Sequence, residues 1–293
     1  MSLLLQWVLH GDFSLSTYFG VPLYVSMGMM AKQLFNDQMG LYMVKHKLTA
    51  MVTGASAGLG EAFCRALANE CDVIIAVARR EDRLLALAKE LEGLVEVHPI
   101  QADLTTVVGL TRAVEALRQL GPVDYLVNNA GFGTTGPFAA SDLEQELEMV
   151  RIHIDAPLVL TRAALPFMRE LGGGKIINVS SVAGFLAVNQ LAVYGAAKSF
   201  ISAWSLSLQE EVRSDNIQVQ LLCPGYTRTE FHDRDSFSAF DKSQVPQDVW
   251  MDAETVVATS LAALESGQQV VVPGEHNVQA AHAGLAAFSE LVQ

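Results

Sequence analysis

This sequence predicts a single doubly wound α/β domain: a seven-stranded, mostly parallel sheet with helices on both faces. Three observations lead there. From about residue 47 onward, seven apolar runs of four to seven residues recur, each rich in Val, Ile or Leu. Continuous apolarity at that length suits parallel strands buried on both faces rather than half-exposed ones, which alternate. Amphipathic helical patterns lie between the runs, and strands that alternate with helices build parallel sheets. A glycine-rich turn sits directly between the first run and the first helical stretch.

In chain order, the first strand is Leu48–Thr53, followed by the turn Thr53-Gly-Ala-Ser-Ala-Gly-Leu-Gly60 and a helix over Gly60–Asn69. A second strand, Val73–Ala78, leads into a helix over Arg80–Leu91. The third strand is read at Leu94–His98, the next helix at Val107–Leu120 and the fourth strand at Val123–Asn128. Ser141-Asp-Leu-Glu144 has the form of a capping box opening a long helix towards Leu171. Pro157 and Pro166 should kink or interrupt that helix. The last strands are Lys175–Ser180, Ile217–Cys223 and Gln269–Val272. Glu230–Pro246 is polar with interspersed Phe and is expected to be a lid.

Residues 1–42 stand apart from the α/β domain expected over 43–293. Phe13–Ala31 carries no charge and approaches membrane-spanning length, but it contains Gly20, Pro22 and Gly28, and no basic residue precedes it. Three readings stay open: a membrane-associated segment, a leader ahead of a natural start at Met43, and an amphipathic cap. Composition narrows the function. The 293 residues are 51% hydrophobic and 17% charged, with a net charge of -13 and no basic run, which argues against a nucleic-acid partner. Three cysteines without a Cys-x-x-Cys pair fit reduced thiols in a cytoplasmic protein. No His or Cys spacing matches a metal site.

Five segments carry chemistry. In the turn, Gly54, Ser56, Gly58, Leu59 and Gly60 are candidate cofactor contacts, because glycines let backbone approach a pyrophosphate at a helix N-terminus. At the end of the second strand, where an NAD-preferring fold places a carboxylate, Arg79 stands instead and can pair with a 2′-phosphate. NADP is therefore expected over NAD. Asp103-Leu104 should sit beside the adenine, with a helix N-cap as the competing role for Asp103. Asn128-Asn129-Ala130-Gly131 ends the fourth strand at its carboxyl edge, where ligands bind in open α/β sheets. There Asn128 can equally tie strands together. Finally, Tyr194 and Lys198 lie four apart, on one helix face, with Ser181 thirteen residues upstream. A nearby ammonium favours an ionised phenol, so Tyr194 is a candidate acid/base and Ser181 a candidate hydrogen bonder to a carbonyl oxygen.

Taken in order, Thr-Gly-x-x-x-Gly-x-Gly at 53–60, Asn-Asn-Ala-Gly at 128–131, Ser181, Tyr-x-x-x-Lys at 194–198 and Pro-Gly-Tyr-Thr-Arg-Thr at 224–229 resemble the short-chain dehydrogenase/reductase family over roughly residues 45–275. The resemblance implies a Rossmann-like domain and NAD(P)-dependent interconversion of an alcohol and a carbonyl. It implies that Tyr194 is the acid/base, that Ser181 orients the carbonyl, and that Lys198 binds nicotinamide ribose and lowers the Tyr194 pKa. It places Pro224, Gly225 and Thr229 against the nicotinamide, and it implies homodimers or homotetramers through long helices. One position departs: His153 stands where the family usually has an Asn holding a relay water. His153 is expected to serve in that relay, or else only to satisfy a backbone carbonyl at the Pro157 kink. Phe132, Phe185, Phe231, Phe237 and Phe240 near the cleft favour an apolar or acyl-type ketone. The competing function is a non-catalytic NADP-binding regulator or membrane-associated scaffold.

Overall fold

In the computed structural model, which describes residues 46–233, 237 and 240–292, seven strands form one parallel sheet. They are β1 (Thr49–Thr53), β2 (Val73–Ala78), β3 (Glu96–Gln101), β4 (Tyr125–Asn128), β5 (Gly174–Val179), β6 (Ile217–Leu222) and, later in the chain, β9 (Val270–Val271). Their order is β3-β2-β1-β4-β5-β6-β9. The strand order reverses between β1 and β4, which opens a crevice at their carboxyl ends. Every pair is parallel, so "mostly parallel" becomes wholly parallel for this sheet.

The apolar runs are continuous because each strand feeds two cores. Ala50, Val52, Ile74, Ala76, Tyr125 and Val127 point into one, and Met51, Ile75, Val77 and Leu126 into the other. That alternation is the two-residue period of a strand with both faces covered. The first core is closed by α1 (Gly58–Leu67), α2 (Glu81–Glu90) and α7 (Ala253–Glu265). The second is closed by α3 (Val107–Leu120), α5 (Ala156–Leu171) and α6 (Ala192–Val212).

Three local expectations are corrected. The third strand begins at Glu96 rather than Leu94 and runs on through Pro99. Its register is set by pairing with β2, and its edge position tolerates a residue without an amide donor. The helix after Ser141 is capped by Asp142, whose side chain accepts from the Glu144 amide at 3.0 Å, while the Ser141 hydroxyl donates to Phe138 O. That helix is also not one element. It consists of α4 (Leu143–Val150), a π-helical turn over Arg151–Asp155, and α5 with Pro157 in its first turn. Pro157 has no amide to give the turn before it, which accounts for the widening there. Pro166 lies inside α5 without ending it.

Two elements are additional. A two-stranded ribbon pairs β7 (Thr227–Arg228) with β8 (Met251–Asp252), bringing together the two ends of the expected lid. Helix α8 (Glu275–Glu290) follows β9. One contiguous unit runs from Lys47 to Gln293. The boundary expected at residue 43 and the apolar stretch Phe13–Ala31 lie outside the described residues. Among the described residues, no helix is long and apolar enough to cross a membrane.

Candidate active site

A cleft of about 1130 Å³ opens at the carboxyl edge of the sheet, along the crevice between β1 and β4. Its floor is locked by Thr53, the last residue of β1. The Thr53 hydroxyl donates to Val127 O and accepts from the amides of Asn129 and Ala130, and the Asn129 side chain donates to Thr53 O at 2.8 Å. Asn128 lies deeper and is structural. Its amide donates to Thr161 Oγ1 and to Asn178 Oδ1, and Asn178 in turn donates to Ser205 Oγ, tying β4 and β5 to α5 and α6.

The glycine-rich turn fits a dinucleotide on its own geometry. Gly54 and Gly58 hold φ of +69° and +56°, where side chains are strained. A Cβ at Gly60 would collide with Gly54 O, and one at Gly58 would meet Thr229 Cγ2 at 2.9 Å. Ala57, the residue capping α1, offers no side-chain acceptor to the first amides of that helix. Those amides therefore face the cleft as an anion cradle. Gly54, Ser56, Gly58, Leu59, Arg79, Asp103, Leu104, Asn129, Ala130, Gly131, Pro224, Gly225 and Thr229 all line the cleft. Gly60 lies beneath it as the spacer that lets the turn pack. Asp103 holds Thr105 through its amide and hydroxyl, and the cap of α3 is Thr106, so the N-cap role falls to Thr106.

At the β2 end a second cation stands beside Arg79. Arg80 turns onto the glycine-rich turn, with Nε 3.3 Å from Ser56 Oγ and Nη2 3.2 Å from Ser56 O. Arg79 is exposed at the cleft wall, and both cations border the same space.

Ser181, Tyr194 and Lys198 converge on the far half of the cleft. Ser181 leaves β5 as the cap of a short 3-10 turn, accepting from the Ala183 amide at 3.1 Å. Tyr194 and Lys198 lie on the buried face of α6. Burial pushes the Tyr194 phenol up to about 12, against a lowering by its hydrogen bond with Ser181. The Lys198 ammonium lies 5.7 Å from the Tyr194 ring centroid but donates to Val179 O at 2.9 Å. Its own burial holds it down at about 7. For Tyr194, the Ser181 bond is the influence that opposes burial.

His153 is buried in the π-helical turn. Its Nε2 donates to Phe132 O at 2.7 Å, a carbonyl in the loop after β4 rather than one at the Pro157 kink. That bond fixes the neutral tautomer with Nδ1 as acceptor. Burial, and then the Lys198 charge, keep the imidazole well below its ordinary range, with the Phe132 bond pulling the other way. The ring meets Tyr194 edge-on at 5.8 Å and occupies the space a side chain at Gly131 would need.

The remaining wall is aromatic. Phe231, His232, Phe237 and Phe240 line the cleft. Tyr226, Phe231, Phe237, Phe240 and Trp250 surround the His232 ring at 5.1 to 5.7 Å between centroids. Phe132 also borders the cleft, whereas Phe185 packs away from it against the Ile201 cluster. Helix α8 closes one side with His276, Asn277 and Ala280, which motif reading missed. The only local cue was the helical start after Gly274, because the approach of Asn277 to Gly225 is a long-range contact. Among the described residues, no three His, Cys, Asp or Glu side chains group as a metal site.

Comparison with known proteins agrees with this geometry. The family model for short chain dehydrogenase matches residues 48–237. A dehydrogenase/reductase SDR family protein 7-like from Anopheles gambiae is 35% identical over 188 residues, covering 61% of this chain and 59% of that protein. A ketoacyl reductase HetN from Nostoc is 32% identical over 180 residues, covering 61% and 63%. The chain thus spans about three-fifths of the length of these two relatives. Among solved structures, a short-chain dehydrogenase from Sphingobium yanoikuyae in complex with NADPH superposes with a TM-score of 0.74 at 31% identity, covering 84% of this chain and 95% of that one. A bulky-bulky ketone specific alcohol dehydrogenase from Comamonas testosteroni gives 0.71 at 29% identity, covering 84% and 93%. The chain belongs to the short-chain dehydrogenase/reductase family of NAD(P)-dependent oxidoreductases.

Proposed function

We propose that this protein is an NADP-dependent reductase of bulky, apolar ketones, with Tyr194 as proton donor. The observation that carries the reading is the convergence of Ser181, Tyr194 and Lys198 at one end of the cleft whose other end holds the glycine cradle and two arginines. A bound nicotinamide supplies hydride to the carbonyl carbon. Tyr194, protonated at neutral pH, donates its phenolic proton to the carbonyl oxygen. Ser181 hydrogen-bonds the same oxygen and aligns it with the phenol. Lys198 holds the nicotinamide ribose, and the contact raises the charged fraction of a lysine that burial otherwise keeps near neutrality. His153 acts as a positioning residue: it fixes the Phe132 wall and presents Nδ1 as an acceptor to a relay water. Arg79 and Arg80 together hold the 2′-phosphate, which favours NADP over NAD.

The aromatic wall supports an apolar substrate, and the Comamonas alcohol dehydrogenase acts on bulky-bulky ketones by its description. The outward Val159, Phe200 and Leu206 on α5 and α6 support self-association through those helices. The test is NADPH oxidation across a panel of aryl and long-chain ketones and ketoacyl thioesters. Tyr194→Phe should lower turnover about a hundred- to ten-thousand-fold while NADPH binding is unchanged. NADPH binding without turnover on any panel member would favour a non-catalytic nucleotide-binding role instead.

A further inference from the structure

The opposite walls of the cofactor end are joined by an ion pair. Arg80 follows β2, Arg83 lies in the first turn of α2, and Glu230 comes two residues after β7. The Glu230 carboxylate crosses the cleft mouth, with Oε2 2.7 Å from Arg80 Nη1 and Oε1 3.7 Å from Arg83 Nη2. Arg80 meanwhile keeps its other nitrogens on Ser56. Ser56, Arg79, Arg80 and Glu230 border one space. The carboxylate therefore occupies Arg80, one of the two cleft cations that a 2′-phosphate would need.

We propose that Glu230 holds the place of the 2′-phosphate at Arg80 and competes with it, so that NADP(H) binds by displacing a built-in carboxylate. This rests on the NADP reading given above. As a stability element the pair does little: Arg80 and Glu230 are 41% and 49% exposed, and exposed pairs contribute little net energy. Its consequence is for selectivity. A phosphate brings nearly two charges and three acceptor oxygens, and a carboxylate brings one charge and two oxygens, so the phosphate takes Arg80 and Glu230 turns to solvent. NAD(H) brings only a hydroxyl and leaves the pair closed. The carboxylate thus reduces NADPH affinity, and it leaves NADH affinity largely alone.

The test measures dissociation constants for NADPH and NADH by nucleotide fluorescence in wild type, Glu230→Gln, Arg80→Gln and the double variant. Glu230→Gln should tighten NADPH about two- to fivefold, the range of an exposed ion pair, with NADH unchanged. The double variant should bind NADPH like Arg80→Gln alone. An equal change for both nucleotides, or no tightening of NADPH, overturns the competition. If Arg80→Gln leaves the ratio of NADPH to NADH affinity unaltered, the assignment of the 2′-phosphate to Arg80 fails, and this inference fails with it. If Arg80→Gln lowers that ratio and Glu230→Gln does not raise it, only the role of Glu230 is lost.

Discussion

The two halves of the cleft are built from different materials. The cofactor half is mostly backbone: glycines at positive φ, the free amides of α1, and Thr53 clamping one strand end to the next loop. The substrate half is mostly side chain: Tyr194, His153, Phe132 and the rings around His232. Backbone geometry tolerates few substitutions, because an added Cβ has nowhere to go. A wall of rings can exchange one apolar surface for another of similar volume. A family of dehydrogenases can therefore keep one nucleotide site and change its substrates.

The contrast breaks most sharply at Gly60. Gly60→Ala puts a Cβ against Gly54 O and the Asn129 side chain, so the turn must shift. We expect a stability loss of about 1–3 kcal/mol and at least a tenfold loss of NADPH affinity. Denaturant unfolding and nucleotide titration would measure these. Gly93→Ala has open space around its Cβ but a φ of +87°, so it should cost stability through backbone strain while leaving nucleotide affinity intact.

Lys198 links the halves and sets a pH dependence. Its amine is held at about 7 in the folded protein, below the ordinary 10.5. Between those values the unfolded chain binds a proton that the folded one does not. The Lys198 contribution to stability therefore rises with pH from about 7 upward. His153 adds its own penalty only below its ordinary 6.5, and Tyr194 titrates only above 10. The buried Cys64, Cys71 and Cys223 thiols, pushed above their ordinary 9.0 by burial, oppose the rise as pH approaches 9, so the window that belongs to Lys198 is about pH 7 to 8. Urea midpoints at pH 7 and 8, below the range where the buried cysteines titrate, should rise in wild type and stay nearly level in Lys198→Met. An equal rise in both would contradict the burial argument.

The smallest effect sharpens the substrate side. His153→Ala removes the donor to Phe132 O, and turnover should fall about tenfold, the cost of one hydrogen bond of roughly 1–1.5 kcal/mol. NADPH affinity should persist, and His153→Asn should recover part of the rate. Full activity in His153→Ala would remove the residue from the mechanism.

Much of this was legible in the sequence. Apolar runs announced β1, β2, β4, β5 and β6 to within two residues, because a strand buried on both sides has no polar option on either face. Glycine positions and the Ser181, Tyr194, Lys198 spacing marked the two ends of the cleft for equally local reasons. Leu94 misled because an edge strand is only half buried and takes its register from its neighbour. The aromatic cage, Arg80 on Ser56 and Asn277 beside Gly225 left no periodic trace, since each is a contact between distant parts of the chain.

By itself, then, the sequence determined the layered α/β architecture, the place of the glycine-rich turn and the pairing of Tyr194 with Lys198 on one helix face, all consequences of local spacing and burial. Only the tertiary structure decided what surrounds those groups. It gave Lys198 a carbonyl in place of a phenol, tied His153 to Phe132, and set Glu230 across two arginines. The physical reason is that charge state and hydrogen-bond partner depend on burial and on neighbours brought together by folding, and neither is written in residue spacing.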